Sequence, residues 1–540
     1  MVSIAILLLC LSIPLLLLLF FQKPRSIKYP CPPPGPRGLP IIGNLHQLNN
    51  SSILHVQLWQ LAKKYGPLFS LQLGLRPAIV VSSPKLAKEV LKNHGLVFSG
   101  RPSLYGQQKL SYNGSEIVFS PYSDYWREMR KVCVVNIFSS KRVSSFSSIR
   151  HYEVKQMMKK ISSHASSSTV TNLSELLISL SSNIICRIAF GRKYEDEGTE
   201  KSRFHEMLNE VQAMLGTIFV SDYIPFMGWI DKLIGLHARL DRIYKEMDKF
   251  FQQVIDEHMD QNREHAHDED IVDVLLQLKK QRSFSTELTY DHIKAVLLTL
   301  SFKRVESLKF ILLYGEDDVT TVDFARSGLE SSINHLGWDI LVAATDTTAA
   351  SSVWAMTMLI KKPRVMKKAQ EEIRKIGGKK DFLEENDIQN LPYLKAVIKE
   401  TLRLYLPAPL LVPREANENC MIDGYEIKSK TIVYINAWAI HRDPEVWKDP
   451  KEFYPERFLD NSIDFQGQDF ELIPFGAGRR ICPGLSMSTP ILELIIANLL
   501  HSFDWELPQG LADEDIDTKV LPGITLHKKN PLCLLAKNHV

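Results

Sequence analysis

The sequence predicts a mainly helical protein with a smaller β region, preceded by an N-terminal transmembrane helix. Apolar residues recur at three- and four-residue spacing in residues 154–161, 204–215 and 236–255, which is the pattern of one helix face. Apolar and β-branched runs at residues 68–73 and 78–81 predict short strands. The chain contains no internal repeat of about 20–50 residues, which argues against a solenoid or a propeller.

Length and composition limit the class of protein. A chain of 540 residues exceeds the usual size of one core, which favours two or more domains unless it is a large single-core enzyme. The net charge of +3 is nearly balanced, so we expect no nucleic acid as partner. The seven cysteines form no C-x-x-C pair, which argues against zinc, an iron–sulfur cluster or a disulfide framework. A reduced, cytosol-facing compartment is the simpler interpretation.

Residues 1–28 are predicted to form a membrane anchor. Residues 4–21 are almost unbroken Leu, Ile and Phe and would span roughly 27 Å as a helix, close to the thickness of a hydrocarbon core. A cleaved signal peptide is the alternative, but Lys23 and Arg25 follow where a small-residue cleavage site would stand. The same positive charge predicts that the main body stays on the cytosolic side.

Residues 29–44 are predicted to form a proline-rich hinge before a globular body at 45–540. The prolines fix φ and remove N–H donors, which favours a stiff extended strut over a helix. A proline-rich ligand for a partner domain is the alternative interpretation. The position directly after an anchor favours the hinge.

Residues 474–484 read Pro-Phe-Gly-Ala-Gly-Arg-Arg-Ile-Cys-Pro-Gly and contain the principal candidate site. We interpret Cys482 as the ligand of a haem iron, because the three glycines allow sharp turns and let backbone N–H groups approach an anionic sulfur. Arg480 is placed to meet a haem propionate. The alternative is a loop cysteine that follows a Gly/Arg turn by chance.

This segment fits the pattern F-x-x-G-x-R-x-C-x-G and resembles the cytochrome P450 family. The resemblance covers nearly the whole chain and implies the cytochrome P450 fold. It further implies haem b (iron protoporphyrin IX) with the Cys482 thiolate as axial ligand, and Phe475 and Gly484 as parts of the cofactor-binding loop.

Three further residues are candidates for contacts with the haem. Trp126 and Arg130 lie four residues apart, so a helix would present an indole N–H and a guanidinium on one face as donors for a carboxylate. From the residues alone, a core Trp beside a surface Arg is the default, and the family resemblance assigns the pair to a propionate. Arg414 is another propionate candidate. It follows residues 406–413, which resemble the family's pocket-lining strand and make residues 410–412 candidate substrate contacts, although core residues would look the same.

Residues 341–350 form a helix-compatible run of small side chains that contains Asp346 and Thr347. The Thr347 hydroxyl can bond the carbonyl of Ala343, which bends a helix and makes room for water. Asp346 could then help to relay protons, and the run resembles the family's oxygen-activation motif. The alternative is a small-residue helix crossing whose threonines are satisfied within the core.

Glu400 and Arg403, with Arg457 farther along, resemble the family's buried ion-pair network behind the haem. From spacing alone, Glu400 and Arg403 would be a weak surface pair. The resemblance assigns all three to structure and not to catalysis.

Two features depart from the family pattern. Residues 299–338 interrupt a helix that the family runs unbroken into Asp346, and they include Gly and Asp-rich stretches that suit a buried helix poorly. We interpret them as a retained intron or a faulty gene model, or alternatively as a real insertion looped out of the helix. Pro490 falls where the helix after Cys482 should already run, at a cost of about 3 kcal/mol unless that helix begins at 489 or 490.

The resemblance implies a monooxygenase that inserts one oxygen atom from O₂ into a lipophilic small molecule. No G-x-G-x-x-G follows a predicted strand, so electrons are expected from a separate NADPH-cytochrome P450 reductase. Within the family the chain is similar to plant A-type enzymes of specialised metabolism, and more narrowly to the aldoxime-metabolising branch. The resemblance to these enzymes implies that the protein lies in the endoplasmic reticulum membrane and contacts membrane lipid. The alternatives are a P450 isomerase or dehydratase, and a haem-free, non-functional product of the 299–338 insertion.

Overall fold

The computed structural model describes residues 31–48, 53–192, 210–211, 214, 217–260, 263, 269–281, 288–299, 342–521 and 525–539. The predicted anchor, the start of the hinge, most of the predicted 204–215 helix and nearly all of residues 299–338 lie outside the described residues.

The described chain is mainly helical, as the sequence predicts. Its longer helices are Leu54–Tyr65, Asp124–Val132, Ser147–Ser166, Leu173–Phe190, Leu236–Met259, Ile271–Gln281, Tyr290–Thr299, Val342–Lys361, Pro363–Gly377, Pro392–Leu404 and Leu485–Ser502. The strands are Leu68–Leu73, Arg76–Val81, Thr171–Asn172, Arg414–Glu415, Cys420–Ile422, Tyr425–Ile427, Ile432–Ile435, Phe503–Glu506, Val520–Leu521, His527–Lys528 and Cys533–Asn538. The predicted helices at 154–161 and 236–255 and both predicted strands are confirmed.

The helix Val342–Lys361, here called the central helix, lies in the middle of the helical core. It packs against Leu173–Phe190, Leu485–Ser502 and Pro392–Leu404. Small side chains in its first half allow these close helix contacts, and Trp354 farther along is fully buried and stacks on another aromatic ring. Helix Leu173–Phe190 is long and apolar enough to cross a membrane, but 67% of it is buried inside the protein, so it belongs to this core.

The largest sheet has four strands in the order Leu68–Leu73, Arg76–Val81, Ile432–Ile435, Arg414–Glu415. The first pair is antiparallel, the central pair parallel and the last antiparallel. Successive side chains alternate between two apolar clusters on opposite faces, as the strand period of two requires. The sheet thereby fixes Arg414 at one edge.

The network of Glu400, Arg403 and Arg457 is buried as the resemblance implies. Arg403 donates to both Glu400 oxygens, at 2.7 and 2.8 Å, and Arg457 Nε donates to Glu400 Oε1 at 3.1 Å. Arg403 also donates to the carbonyls of His441, Pro450 and Glu452. Its guanidinium is therefore hydrogen-bonded to the backbone as well as to Glu400, which offsets the cost of burying the charge. This ties helix Pro392–Leu404 to the loops that lead to the cysteine segment.

The late start that we considered for the helix after Cys482 is wrong. The helix begins at Leu485, and Pro490 lies inside it. Its ring nitrogen has no hydrogen to donate to the carbonyl of Ser486, one turn earlier. The burial of the helix's apolar residues in the core holds it together despite this loss.

Residues 410–412 also differ from the expected strand. They form a turn, and Leu411 adopts φ +52°, in the left-handed region that side chains seldom occupy. Only Arg414–Glu415 pairs with the sheet, because the chain must first turn away from the helix that ends at Leu404.

Candidate functional site

The cysteine segment, residues 474–484, forms a tight loop before helix Leu485–Ser502. The Cys482 N–H donates to the Phe475 carbonyl at 3.0 Å and closes the loop. Gly478 has φ +69°, and a Cβ there would lie 2.0 Å from the carbonyl oxygen of Leu91. Glycine is therefore required at 478 by both conformation and space.

Gly484 lies in a turn as expected, but its φ of −84° is open to any residue, so the turn itself does not require glycine there. A Cβ built on it would meet only the Cys482 sulfur, at 3.9 Å, so the space beside the sulfur is open. The Phe475 ring packs edge-on against Phe465, with centroids 5.5 Å apart, and shields the other end of the loop.

The environment of Cys482 acts on its thiol in two directions. Desolvation by the surrounding protein is the largest effect and raises the pKa of the thiol, while backbone hydrogen bonds from Gly484 and Leu485 and the charge of Arg130 offset part of that rise. The side chain nevertheless remains accessible. The sulfur is thus open to a ligand, and the N–H groups of Gly484 and Leu485 are directed at it.

Arg480 is buried and held by backbone carbonyls. It donates to Ser99 O at 2.7 Å and to Ser120 O at 2.6 Å. Its guanidinium carbon also lies 4.5 Å from the Trp126 ring centroid. Burial and the neighbouring charge of Arg414 lower the pKa of Arg480 to about 9.

Trp126 and Arg130 share the helix Asp124–Val132, as predicted. The indole N–H donates to the Ile117 carbonyl at 2.9 Å, and Arg130 lies over the ring, 5.5 Å from its centroid. Arg130 also donates to the carbonyl of Ile481, next to the cysteine. The structure therefore brings Arg130 and Cys482 together, while the indole N–H is directed to the backbone.

Arg414 joins the same region from the sheet edge. It donates to Phe98 O and Ala477 O, both at 3.3 Å. Burial, with a smaller effect from Arg130, lowers the pKa of Arg414 to about 10.

Asp346 and Thr347 lie near the start of the central helix. Asp346 is 2% exposed and contacts His527 Nε2, which is 2.8 Å from Oδ1 and 2.9 Å from Oδ2. The predicted bond from the Thr347 hydroxyl to Ala343 stays a prediction. The same four-residue pattern occurs later in this helix, where the hydroxyls of Ser351 and Ser352 donate to carbonyls one turn back.

Comparison with known proteins identifies the family. The family model described as Cytochrome P450 matches residues 33–307 and 327–535. The chain belongs to the cytochrome P450 family. Members of this family are monooxygenases that bind haem through a cysteine thiolate and act with a redox partner, a small-molecule substrate and O₂.

Similar plant proteins cover nearly the whole chain. A 5-OH-xanthotoxin synthase of Pastinaca sativa is 46% identical over 97% of this chain and 96% of its own length. Cytochrome P450 71A9 of Glycine max is 47% identical over 95% of both chains. A strychnine-11-hydroxylase of Strychnos nux-vomica is 44% identical over 96% of this chain and 94% of its own. The chain is therefore similar over nearly its whole length to plant enzymes named as a synthase and a hydroxylase and to a plant cytochrome P450.

Solved structures confirm the fold. A zebra fish cytochrome P450 determined with progesterone has a TM-score of 0.68 to this chain, and the match covers 89% of this chain and 99% of that one at 23% identity. The predicted cytochrome P450 fold is therefore correct.

In this cytochrome P450, the positive charge of the arginines near Cys482 matches the negative charge of haem. Haem carries propionate carboxylates, and the guanidinium groups of Arg101, Arg130, Arg414 and Arg480 lie close enough to lower one another's pKa. Glu116 is the one acidic residue that acts on Arg101 and Arg480 in the described chain. The cluster thus has an excess of positive charge beside the accessible sulfur, which suits a dianionic cofactor.

Arg101 is a member of this cluster that sequence reasoning missed. It donates to the carbonyls of Val412 and Pro413, at 2.7 and 2.6 Å, and to Val118 O at 2.7 Å. Its neighbours Gly100 and Pro102 mark only a loop. Val412 and Pro413 are 311 and 312 positions away and Val118 lies in an irregular loop, so no local pattern reveals these contacts.

Proposed function

We propose that this protein is a haem-thiolate monooxygenase of plant specialised metabolism in which Cys482 is the iron ligand. The observation that carries the proposal is the accessible Cys482 sulfur, which faces backbone N–H groups and lies beside the buried arginine cluster.

The roles of the residues follow from their contacts. Arg130, Arg414 and Arg480 supply positive charge for the propionates, and Trp126 helps to position Arg130 and Arg480, whose guanidinium groups both contact its ring. The haem, when bound, supplies the activation of O₂. Asp346 holds a proton or hands it on beside the central helix, with Thr347 as the neighbouring hydroxyl.

The names of the relatives guide the choice of substrate class. They refer to 5-OH-xanthotoxin, to 6,7,8-trihydroxycoumarin and to hydroxylation of strychnine at its 11-position. Each name thus describes a ring compound that carries a hydroxyl group. We therefore infer a lipophilic ring compound as substrate. The half-buried residues 410–412 are candidate contacts. An aldoxime substrate stays a prediction.

We infer that the protein is anchored in the endoplasmic reticulum membrane by residues 1–28, with the hinge at 29–44 and the haem domain at 45–540 facing the cytosol. The apolar N-terminal run and the charges that follow it support this arrangement. NADPH-cytochrome P450 reductase is the proposed electron donor, membrane lipid is in contact with the anchor, and no nucleic acid is involved.

Residues 299–338 are proposed to be absent from the functional enzyme. The family model is interrupted only over residues 308–326, in the middle of this segment, and it still matches residues 299–307 and 327–338, so it supports the proposal for the central part of the segment. Sequencing the cDNA across Leu298 to Asp339 decides it, and transcripts that mostly contain the segment would contradict it.

The reaction class is tested by incubating the protein with reductase, NADPH, ¹⁸O₂ and a panel of coumarin-type ring compounds. We expect a product with one ¹⁸O atom, formed only with NADPH. A product formed without NADPH and without ¹⁸O would instead identify a P450 isomerase or dehydratase.

The chain as printed and a version lacking 299–338 are compared in the same assay. If neither form binds haem in the reduced-CO difference spectrum, the enzyme proposal fails. If only the shorter form does, the insertion yields the haem-free product considered above.

A further inference from the structure

Two described parts of the C-terminal region, residues 513–521 and 525–528, contact the central helix at three levels. Near the helix start, Asp346 contacts His527. About two turns later, the indole N–H of Trp354 donates to Leu526 O at 2.7 Å. At the helix end, Lys361 Nζ donates to Ile516 O at 2.6 Å. Residues 346, 354 and 361 share one helix face, so these contacts all lie on the same side of the central helix.

The contact between Asp346 and His527 is the one that bears on chemistry. Both side chains are buried, with exposed fractions of 2% and 8%. A buried carboxylate needs a donor to offset its desolvation. Nε2 is nearly equidistant from both carboxyl oxygens, so in the tautomer that carries a hydrogen on Nε2 the ring can share this N–H between them.

The next residue, Lys528, does not compete for this carboxylate. Its Nζ contacts Asp517 Oδ2 at 3.2 Å and the Asn530 carbonyl at 2.9 Å. Adjacent residues of a strand point to opposite faces, which separates the two ion pairs. His527 itself is fixed by the pairing of His527–Lys528 with Val520–Leu521.

We propose that His527 is a positioning residue for Asp346, and that it sets the orientation and charge of the carboxyl that handles protons in the reaction proposed above. Asp346 and His527 are 181 residues apart in the chain. The contact therefore links the strand His527–Lys528 to the start of the central helix.

The test compares three variants of the full chain. His527→Phe keeps a ring and removes the donor, His527→Gln keeps an amide N–H donor, and Lys528→Gln is the matched control on the same strand. Each is loaded with haem, combined with NADPH-cytochrome P450 reductase without added substrate, and assayed for NADPH oxidation in H₂O and D₂O. A merely structural role would not move the solvent isotope effect.

We expect His527→Phe to slow NADPH oxidation about tenfold and to raise the solvent isotope effect, because proton handling becomes limiting. His527→Gln should retain most of the rate, and Lys528→Gln should match the parent chain. A wild-type rate and isotope effect in His527→Phe would overturn the proposal, whatever happens to stability.

A second measurement does not depend on turnover. Urea unfolding midpoints are recorded for His527→Phe, Asp346→Asn and the double variant, and the shifts are compared. We expect the double variant to shift no further than the larger single shift, whereas additive shifts contradict the pairing. Loss of haem from every form in the reduced-CO spectrum would refute the enzyme proposal and leave this comparison decisive for the pair.

Discussion

At the scale of single residues, the candidate site is defined by charge. Arg480 donates to three nearby carbonyls, yet it also lies in a group of arginines whose positive charges repel one another. A dianionic ligand relieves that repulsion. The cluster should therefore contribute to retention of the haem and leave the iron ligand unaffected.

Arg480→Gln should reduce haem retention by about 10- to 100-fold, since a hydrogen bond to a charged group contributes about 1.5–3 kcal/mol. The ratio of haem to protein after dialysis against apomyoglobin measures this, and the position of the reduced-CO band should stay unchanged. Arg479→Gln is the control, because this neighbouring side chain is exposed. Equal retention by both variants would show that Arg480 has no part in binding.

Sequence reasoning found much of this site but not all of it. Cys482, Arg480 and Arg130 belong to short motifs whose spacing is visible in the chain. Arg101 has no such motif, because its partners Val412 and Pro413 come from the distant turn. The use of the Trp126 indole N–H by Ile117 O was likewise not predictable, since that carbonyl lies in an irregular loop.

At the scale of elements, the helix after the cysteine contains a stability defect. Pro490 leaves the Ser486 carbonyl without its helical donor. The expected late helix start was wrong because the motif fixes the loop end at Gly484 and the apolar face needs burial from Leu485 onward. The burial of the helix's apolar residues outweighed the unfavourable helix propensity of Pro490.

Pro490→Ala should stabilise the protein by about 2 kcal/mol, as the restored hydrogen bond outweighs the greater entropy of the unfolded chain. Urea unfolding measures the change. Pro392→Ala is the control, because Pro392 is the first residue of its helix and lacks a donor where none is needed. A loss of stability on Pro490→Ala would mean that the ring itself is a required packing element.

Breaking the buried network of Glu400, Arg403 and Arg457 should lower the stability of the protein, in contrast to the gain expected from Pro490→Ala. Glu400→Gln leaves Arg403 charged in a site with no exposure and should cost about 3–5 kcal/mol of unfolding free energy. Glu506→Gln, which breaks the exposed pair with Lys537, should cost less than about 1 kcal/mol. Similar losses from both variants would argue against a structural role for the network.

At the scale of the whole molecule, the order of motifs predicted the family and its fold correctly. The four-stranded sheet joins strands at 68–81 to strands at 414–435, and its parallel central pair could not be read from either segment alone. The contact of the central helix with the C-terminal segment is similarly long-range. Periodicity predicts which face of an element is buried, but not which distant element covers it.

The central claim is that Cys482 binds the haem iron as a thiolate. The reduced-CO difference spectrum of Cys482→Ala tests it most directly, beside Cys420→Ala as a control at another non-disulfide cysteine. We predict that Cys482→Ala loses the thiolate band while Cys420→Ala keeps the band of the parent chain. A thiolate band retained by Cys482→Ala would contradict the assignment.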